Sequence, residues 1–352
     1  MRYLNIKNLP QALDIQTFIK NASTTKNCID VRSPKEFNKG HMPFAINMPL
    51  FTDDERATVG TIYKQQGKQP AIEKGLEIVG SKLVEFVNVA KKNAVNNVIY
   101  IHCWRGGMRS GSVAWLLELY GLTVFTLKGG YKAFRNYILE SFKISKSILI
   151  LGGKTGSGKT LILQKLHQQN QQVIDLEGLA NHKGSAFGAL GENQQPTQEQ
   201  FENNLALQLL PVSNNLPLWI EDESRLIGNK VIPEGLWQQM TGAKVLFVSL
   251  PFNVRVNYLI KHYGKYSVEE LQASIIKISR RLGQEQTKIC LEALSENDLK
   301  TTCEICLLYY DKSYQHGLLK RKQTTVKELH FNELDLENIS TELINQINFM
   351  ES

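Results

Sequence analysis

The chain has 352 residues, 42% of them hydrophobic and 21% charged, an ordinary globular composition that excludes wholesale disorder. Its length suggests two domains rather than one core. No apolar run approaches the roughly 18 residues of a membrane helix, and the opening MRYLNIKNLPQALDIQ lacks a basic segment followed by an apolar one. The expectation is a cytoplasmic protein with no membrane role.

From the start, short strand-like runs alternate with helical ones. NCIDVR reads as a buried strand, SKLVEFVNVAKKN as an amphipathic helix, and NVIYIHC as a second buried strand ending at Cys103. RSGSVAWLLELYG places apolar residues at helical spacing and stops at Gly121, a helix cap, before the strand of TVFTLKGGY. A second series follows the basic bridge LESFKISKS. SILILGG is a strand, GKTLILQKLHQQ a helix, QVIDLEG a strand, and LPLWIEDES and KVLFVSLP supply two more. TQEQFENNLALQLL and VEELQASIIKISRRLG are helix-prone elaborations. Strands alternating with helices predict α/β parallel sheets. The division expected is residues 1–140 for one domain and 146–352 for a second, doubly wound one with helical elaborations.

The stretch YIHCWRGGMRSG (Tyr100 to Gly111) carries the first candidate chemistry. A cysteine at a strand end, followed by a glycine-containing loop and a helix, faces backbone amides and a helix N-terminus. Arg105 and Arg109 add positive charge, so Cys103 is expected to be a thiolate nucleophile. Gly106 and Gly107 let the backbone curl around an anion, and Trp104 and Ser110 complete the loop. The pattern HCxxGxxRS fits both a cysteine-dependent phosphatase and a sulfur-transferring rhodanese. Upstream, CIDVRSPKEFNKGHMPFAINMPL resembles a rhodanese opening, with Asp30 and Arg32 able to steady the loop by ion pairing. Common single-domain rhodaneses place four residues between cysteine and arginine, whereas Trp104 to Met108 makes five here. That makes a wider cradle, suited to a tetrahedral phosphate-like group.

The second candidate is GGKTGSGKT, which contains GxxxxGK[ST] directly after a strand and opening a helix. Gly153, Lys154, Thr155, Gly156, Ser157, Gly158, Lys159 and Thr160 are the expected diphosphate-binding residues, with Lys159 as counter-charge and Thr160 able to hold Mg²⁺. LPLWIEDES resembles a Walker B strand, making Glu221 and Asp222 candidate metal or substrate carboxylates. Asp175 and Glu177 in DLEGLANHKGSAFG join them, and the metal itself stays unspecified. The pattern leaves open whether the loop takes a nucleotide or another diphosphate.

Together, HCWRGGMRS, LKGGYKAFR, GGKTGSGKT, DLEGLANHKGSAFG and WIEDESRLIG resemble the tRNA 2-selenouridine synthase family along essentially the whole chain. The resemblance implies a rhodanese-like domain followed by a phosphate-loop domain. It also implies a two-stage reaction on wobble 2-thiouridine, S-geranylation by geranyl diphosphate and then replacement by selenium from selenophosphate. The implied partners are tRNA, those two small molecules and a selenophosphate-supplying enzyme. No tightly bound cofactor is implied, and Mg²⁺ would be a helper. Two other readings compete: a cysteine phosphatase fused to a kinase-like domain, with Asp53 or Asp54 as general acid, and a nucleotide-gated persulfide carrier.

The remaining features are weaker. Lys+Arg number 41 against 34 Asp+Glu, and this +7 balance mildly favours a polyanionic partner. Arg280, Arg281, Lys320, Arg321 and Lys322 are candidate tRNA-phosphate contacts, with a solvated helix face as the equal alternative. The five cysteines (Cys28, Cys103, Cys290, Cys303, Cys306) suggest no disulfide framework. Cys303 and Cys306 form a CxxC near His316, but with no second pair they read as an apolar helix face rather than a zinc site. His182 is either a substrate contact or structural.

Overall fold

In a computed structural model, which describes residues 10–318 and 326–347, the chain forms two compact units. The first comprises residues up to Ser141 together with Glu202–Ala206; the second comprises Phe142–Phe201 and the residues from Leu207 onward. Lys320, Arg321 and Lys322 lie outside the described residues.

The first unit is built on five strands: β1 (Gln11–Leu13), β2 (Cys28–Asp30), β3 (Ala45–Asn47), β4 (Val98–His102) and β5 (Thr123–Leu127). All are parallel, in the order β1-β5-β4-β2-β3. Every residue of β2 is buried, as is expected of an inner parallel strand covered on both faces. The core gathers Ile29, Ile99, Ile101, Val113, Leu117 and Val124 around β4. Because β4 is the central strand, its C-terminal end opens where chain connections diverge to either side. Open α/β sheets place their ligands at such a point. Cys103 is the next residue.

The second unit repeats this logic with β6 (Ile148–Gly153), β7 (Gln172–Ile174), β8 (Leu218–Glu221), the small antiparallel hairpin of β9 (Leu226–Ile227) and β10 (Lys230–Val231), β11 (Lys244–Ser249) and β12 (Val326–His330). Its main sheet is parallel, in the order β12-β11-β6-β8-β7. The central β6 is buried throughout and runs straight into the glycine-rich loop. Helix Val268–Leu282 begins at a capping box of Ser267 and Glu270, a local signal that fixes its start.

The sequence expectation of α/β parallel sheets in both halves holds. The strands β1, β3 and β12 and the helices Asp53–Gln65, Lys68–Gly80 and Leu336–Asn345 were not among the expected elements. Among the described residues, no helix is long and apolar enough to cross a membrane.

Candidate functional site

Cys103 is 3% exposed at the floor of a loop that helix Met108–Tyr120 closes. Burial pushes its thiol up. Against this, the Ser110 hydroxyl donates to the sulfur at 3.2 Å, the amides of Ser110 and Arg105 point at it, and Arg109 adds its charge. The outcome is a thiol below its ordinary range, which raises the share of the nucleophilic thiolate. By contrast, burial drives Cys28 well up, and burial likewise lifts Cys303 to about 12.

The residues around the loop divide the work. Arg109 donates to Glu36 at 2.7 Å, and Arg56 donates to the same carboxylate at 2.9 Å, so the arginine is tethered beside the thiol. The Arg105 guanidinium is exposed and forms no hydrogen bond or ion pair among the described residues. Asp30 and Arg32 do not reach the sulfur themselves. They form a fully buried fork, with Arg32 donating to Asp30 at 2.6–3.0 Å and to the Gly40 carbonyl at 2.8 Å. The Arg32 guanidinium lies 3.6 Å from the Tyr131 ring centre, and the Tyr131 amide donates to the Cys103 carbonyl at 2.8 Å. Their support of the loop is therefore relayed through Tyr131. Trp104 packs at 5.8 Å, ring to ring, on the same tyrosine.

Glu36, Gly130 and Tyr131 were not among the expected site residues. Gly130 stands at φ +61°, and a Cβ there would meet the Cys103 carbonyl at 2.4 Å and the Gly106 amide at 2.5 Å. Only glycine lets the LKGGY segment lie this close under the loop. That segment was already a recognisable motif, so its glycine pair was the signal that could have placed it here. Gly107 is the residue from which helix Met108–Tyr120 starts.

In the second unit, Lys154 to Gly158 wrap from β6 into helix Lys159–Gln168. The Lys159 ammonium donates to the Gly153 carbonyl at 3.2 Å, spanning its own loop. Arg255, 3% exposed, braces the loop from behind. It donates to the Thr155 carbonyl at 3.2 Å and forks onto Asp311 at 2.7 and 2.8 Å, with Lys154 3.7 Å from the same carboxylate. Gly156, at φ +82°, packs against Arg255. Ser157 is buried, and its hydroxyl has no hydrogen-bond partner among the described residues.

The expected carboxylates gather beside this loop with unequal roles. Thr160 donates to Glu177 at 3.3 Å, and the Glu177 amide donates to Glu221 at 2.8 Å. Burial, then the charges of Asp175 and Glu177, push Glu221 up to about 8, so it holds a proton at neutral pH. Asp175 caps helix Leu176–Ala180 through the Gly178 amide at 2.8 Å, and Asp222 accepts from the Tyr314 hydroxyl at 2.6 Å. Glu223, which the sequence reading passed over, joins the group and is driven well up by burial and Glu177. Among the described residues, no group of three or more His, Cys, Asp or Glu side chains is arranged to hold a metal.

The loop opens on a cavity of about 1800 Å³, lined by Thr155–Thr160, by Lys261, Lys265 and Arg281, and by Tyr258, Tyr263 and Tyr310. A small apolar recess of about 40 Å³ shares Thr155, Leu259, Tyr263 and Tyr310 with it and continues to Cys303 and Cys306. Those two cysteines are buried on helix Leu299–Leu318, as an apolar helix face predicts. The side chain of His316 lies outside the described residues. His182 is held low by burial and then by Lys277, and so stays neutral near pH 7.

Comparison with known proteins bears on both halves. The family model described as the tRNA 2-selenouridine synthase AAA domain matches residues 146–340, and that of the rhodanese-like domain matches residues 14–137. Three curated relatives are each named tRNA 2-selenouridine synthase. The one from Psychromonas ingrahamii is 35% identical over 83% of this chain and 88% of its own length. The one from Shewanella oneidensis is 34% identical, covering 92% and 95%, and the one from Proteus mirabilis is 36% identical, covering 87% and 93%. With a cysteine loop on a rhodanese-like sheet, a glycine-rich loop on a second, and relatives matched across both, the chain belongs to the tRNA 2-selenouridine synthase family.

Proposed function

We propose that this chain converts wobble 2-thiouridine of tRNA to 2-selenouridine in the cytoplasm, through S-geranyl-2-thiouridine, with geranyl diphosphate and selenophosphate as substrates. The observation that carries the reading is the presence of two anion cradles of different chemistry, one built on a lowered thiol and one on a lysine-bearing phosphate loop. Selenophosphate must come from a separate enzyme, which is an expected partner.

In the first stage the thione sulfur attacks C1 of the geranyl group. The C–O bond breaks, its electron pair leaves with diphosphate, and the uridine N3 proton is released to water. Loop amides and Lys159 are suited to that developing charge, and the apolar wall of Leu259, Tyr263 and Tyr310 suits the hydrocarbon chain. Were Mg²⁺ to accompany the diphosphate, Thr160 and Glu177, which are hydrogen-bonded beside the loop, would be the residues to hold it, and it would add positive charge against the leaving diphosphate.

In the second stage, Cys103 attacks the phosphorus of selenophosphate. The P–Se bond breaks, selenide leaves with the electron pair, and water later hydrolyses the phosphocysteine to phosphate. Selenide adds at C2 of the alkylated uridine, and geranyl thiol departs. Attack at selenium instead would leave the phosphorus reduced. A phosphate-shaped loop on a chalcogen-transferring fold is thereby accounted for.

The phosphatase reading needs a protonated aspartate. Asp53 instead accepts from the Lys35 amide at 3.0 Å, and a hydrogen bond from Ser33, then this amide, hold it low. The test is mass spectrometry of tRNA nucleosides from cells with and without the gene, and from the purified chain given both small substrates. Unchanged 2-thiouridine, S-geranyl and 2-selenouridine levels would reject the proposal. Turnover of an aryl phosphate without selenophosphate would favour the phosphatase.

A further inference from the structure

The cavity beside the phosphate loop is larger than one prenyl diphosphate needs. Pockets for ligands of that size are about 300–1,000 Å³, and this one is about 1800 Å³. Its cations also fall into two sets. Lys159 is engaged with the Gly153 carbonyl, Lys183 pairs with Glu192 at 2.8 Å, and Arg225 pairs with Glu234 at 2.6 Å. Lys261, Lys265 and Arg281 are exposed and have no carboxylate partner among the described residues. The Lys265 ammonium lies 5.2 Å from the centre of the Tyr266 ring. Leaving three cations unneutralised on one cavity wall carries no gain in stability, so a polyanion is the natural complement.

The same wall carries a flat aromatic surface. Tyr258 and His262 lie one turn apart on helix Phe252–Tyr263, stacked at 5.8 Å with 15° between their planes, and both line the cavity. Burial first, then the charges of Lys183 and Lys265, keep His262 neutral near pH 7, so the pair presents uncharged π faces. A cationic track beside stacked aromatic rings is how proteins hold single-stranded nucleic acid, the backbone on the charges and a base on the rings.

We propose that the cavity wall formed by helix Phe252–Tyr263, the turn after it and the end of helix Val268–Leu282 receives the anticodon strand of the tRNA. Lys261, Lys265 and Arg281 contact phosphates, and the Tyr258–His262 stack supports an unstacked base. The inference rests on the reading that alkylation takes place at the phosphate loop, since the thione sulfur must then enter this cavity. It also assigns Arg281, one of the basic residues singled out in the sequence, to a surface.

The experiment compares the full-length protein with the triple variant Lys261→Ala, Lys265→Ala, Arg281→Ala, titrating 2-thiolated tRNA at several salt concentrations and geranyl diphosphate in parallel. Losing three single-strand phosphate contacts should weaken tRNA binding and make the slope of log affinity against log salt shallower by about 2. Geranyl diphosphate binding should be unchanged, which also reports that the unit is folded. The charge-preserving variant Lys261→Arg, Lys265→Arg, Arg281→Lys should keep the native slope. Tyr258→Ala should weaken binding with no change in slope. An unchanged slope and affinity in the triple variant overturns the proposal. Should tRNA binding follow the expected pattern while no geranyl group is ever transferred, the surface stands and the alkylation reading fails.

Discussion

Replacing Ser110 by alanine should separate the two opposing influences on the Cys103 thiol. The Ser110 hydroxyl donates to the Cys103 sulfur at 3.2 Å, and both residues are buried, 1% and 3% exposed. Ser110→Ala removes this donor and leaves in place the burial that pushes the thiol up. A hydrogen bond to an ionised group is worth about 1.5–3 kcal/mol, and one pKa unit corresponds to about 1.4 kcal/mol. The thiol should therefore rise by about one to two units. The amides of Ser110 and Arg105 and the charge of Arg109 persist, which favours the lower end. At any pH below the native midpoint, the thiolate fraction then falls about ten- to a hundredfold. The assay is ultraviolet absorbance of the thiolate against pH, with a Cys103→Ala protein as the subtraction. Cys28 and Cys303 stay out of the window because burial holds them high. Selenium incorporation should slow by the same factor, geranyl transfer should not change, and Ser110→Thr should restore the native curve. A midpoint in Ser110→Ala identical to the native one would refute the reasoning.

Cys103→Ala should abolish selenium incorporation and let S-geranyl-2-thiouridine accumulate, as nucleoside mass spectrometry would show; loss of both products in a folded protein would contradict the division of labour. Lys159→Ala should weaken geranyl diphosphate binding about ten- to a hundredfold, the value of one charge-assisted contact. Normal calorimetric binding by that variant would move the substrate out of the phosphate loop. Glu221 is raised from an ordinary 4.5 to about 8, so between these values the folded state holds a proton that the unfolded chain has lost. Stability from this group accordingly falls as pH rises through that window. Glu221→Gln keeps an acceptor for the Glu177 amide and cannot ionise, so its Tm should exceed the native one at pH 8 and match it near pH 5. Parallel Tm–pH curves for the two proteins would show that Glu221 is ionised throughout.

Both cradles were legible in the sequence because each is contiguous. A strand end, glycines and a helix start within a dozen residues dictate an anion-binding loop through backbone conformation alone, whatever lies around it. The inner strands β2, β4, β6, β8 and β11 were legible for a similar reason, since burial on both faces leaves an apolar run. The pieces that tune the loops were not. Glu36 reaches Arg109 across 73 positions, Asp222 meets Tyr314 across 92, and Arg255 joins Thr155 across 100. No local propensity encodes such pairs. The short β12 shows no strand-like run in the sequence, yet it pairs in parallel with β11 once the sheet exists to receive it. The chain order thus determined which backbone segments could cradle an anion. Tertiary packing decided which charges and rings surround each cradle, because desolvation and ion pairing depend on neighbours in space rather than in sequence.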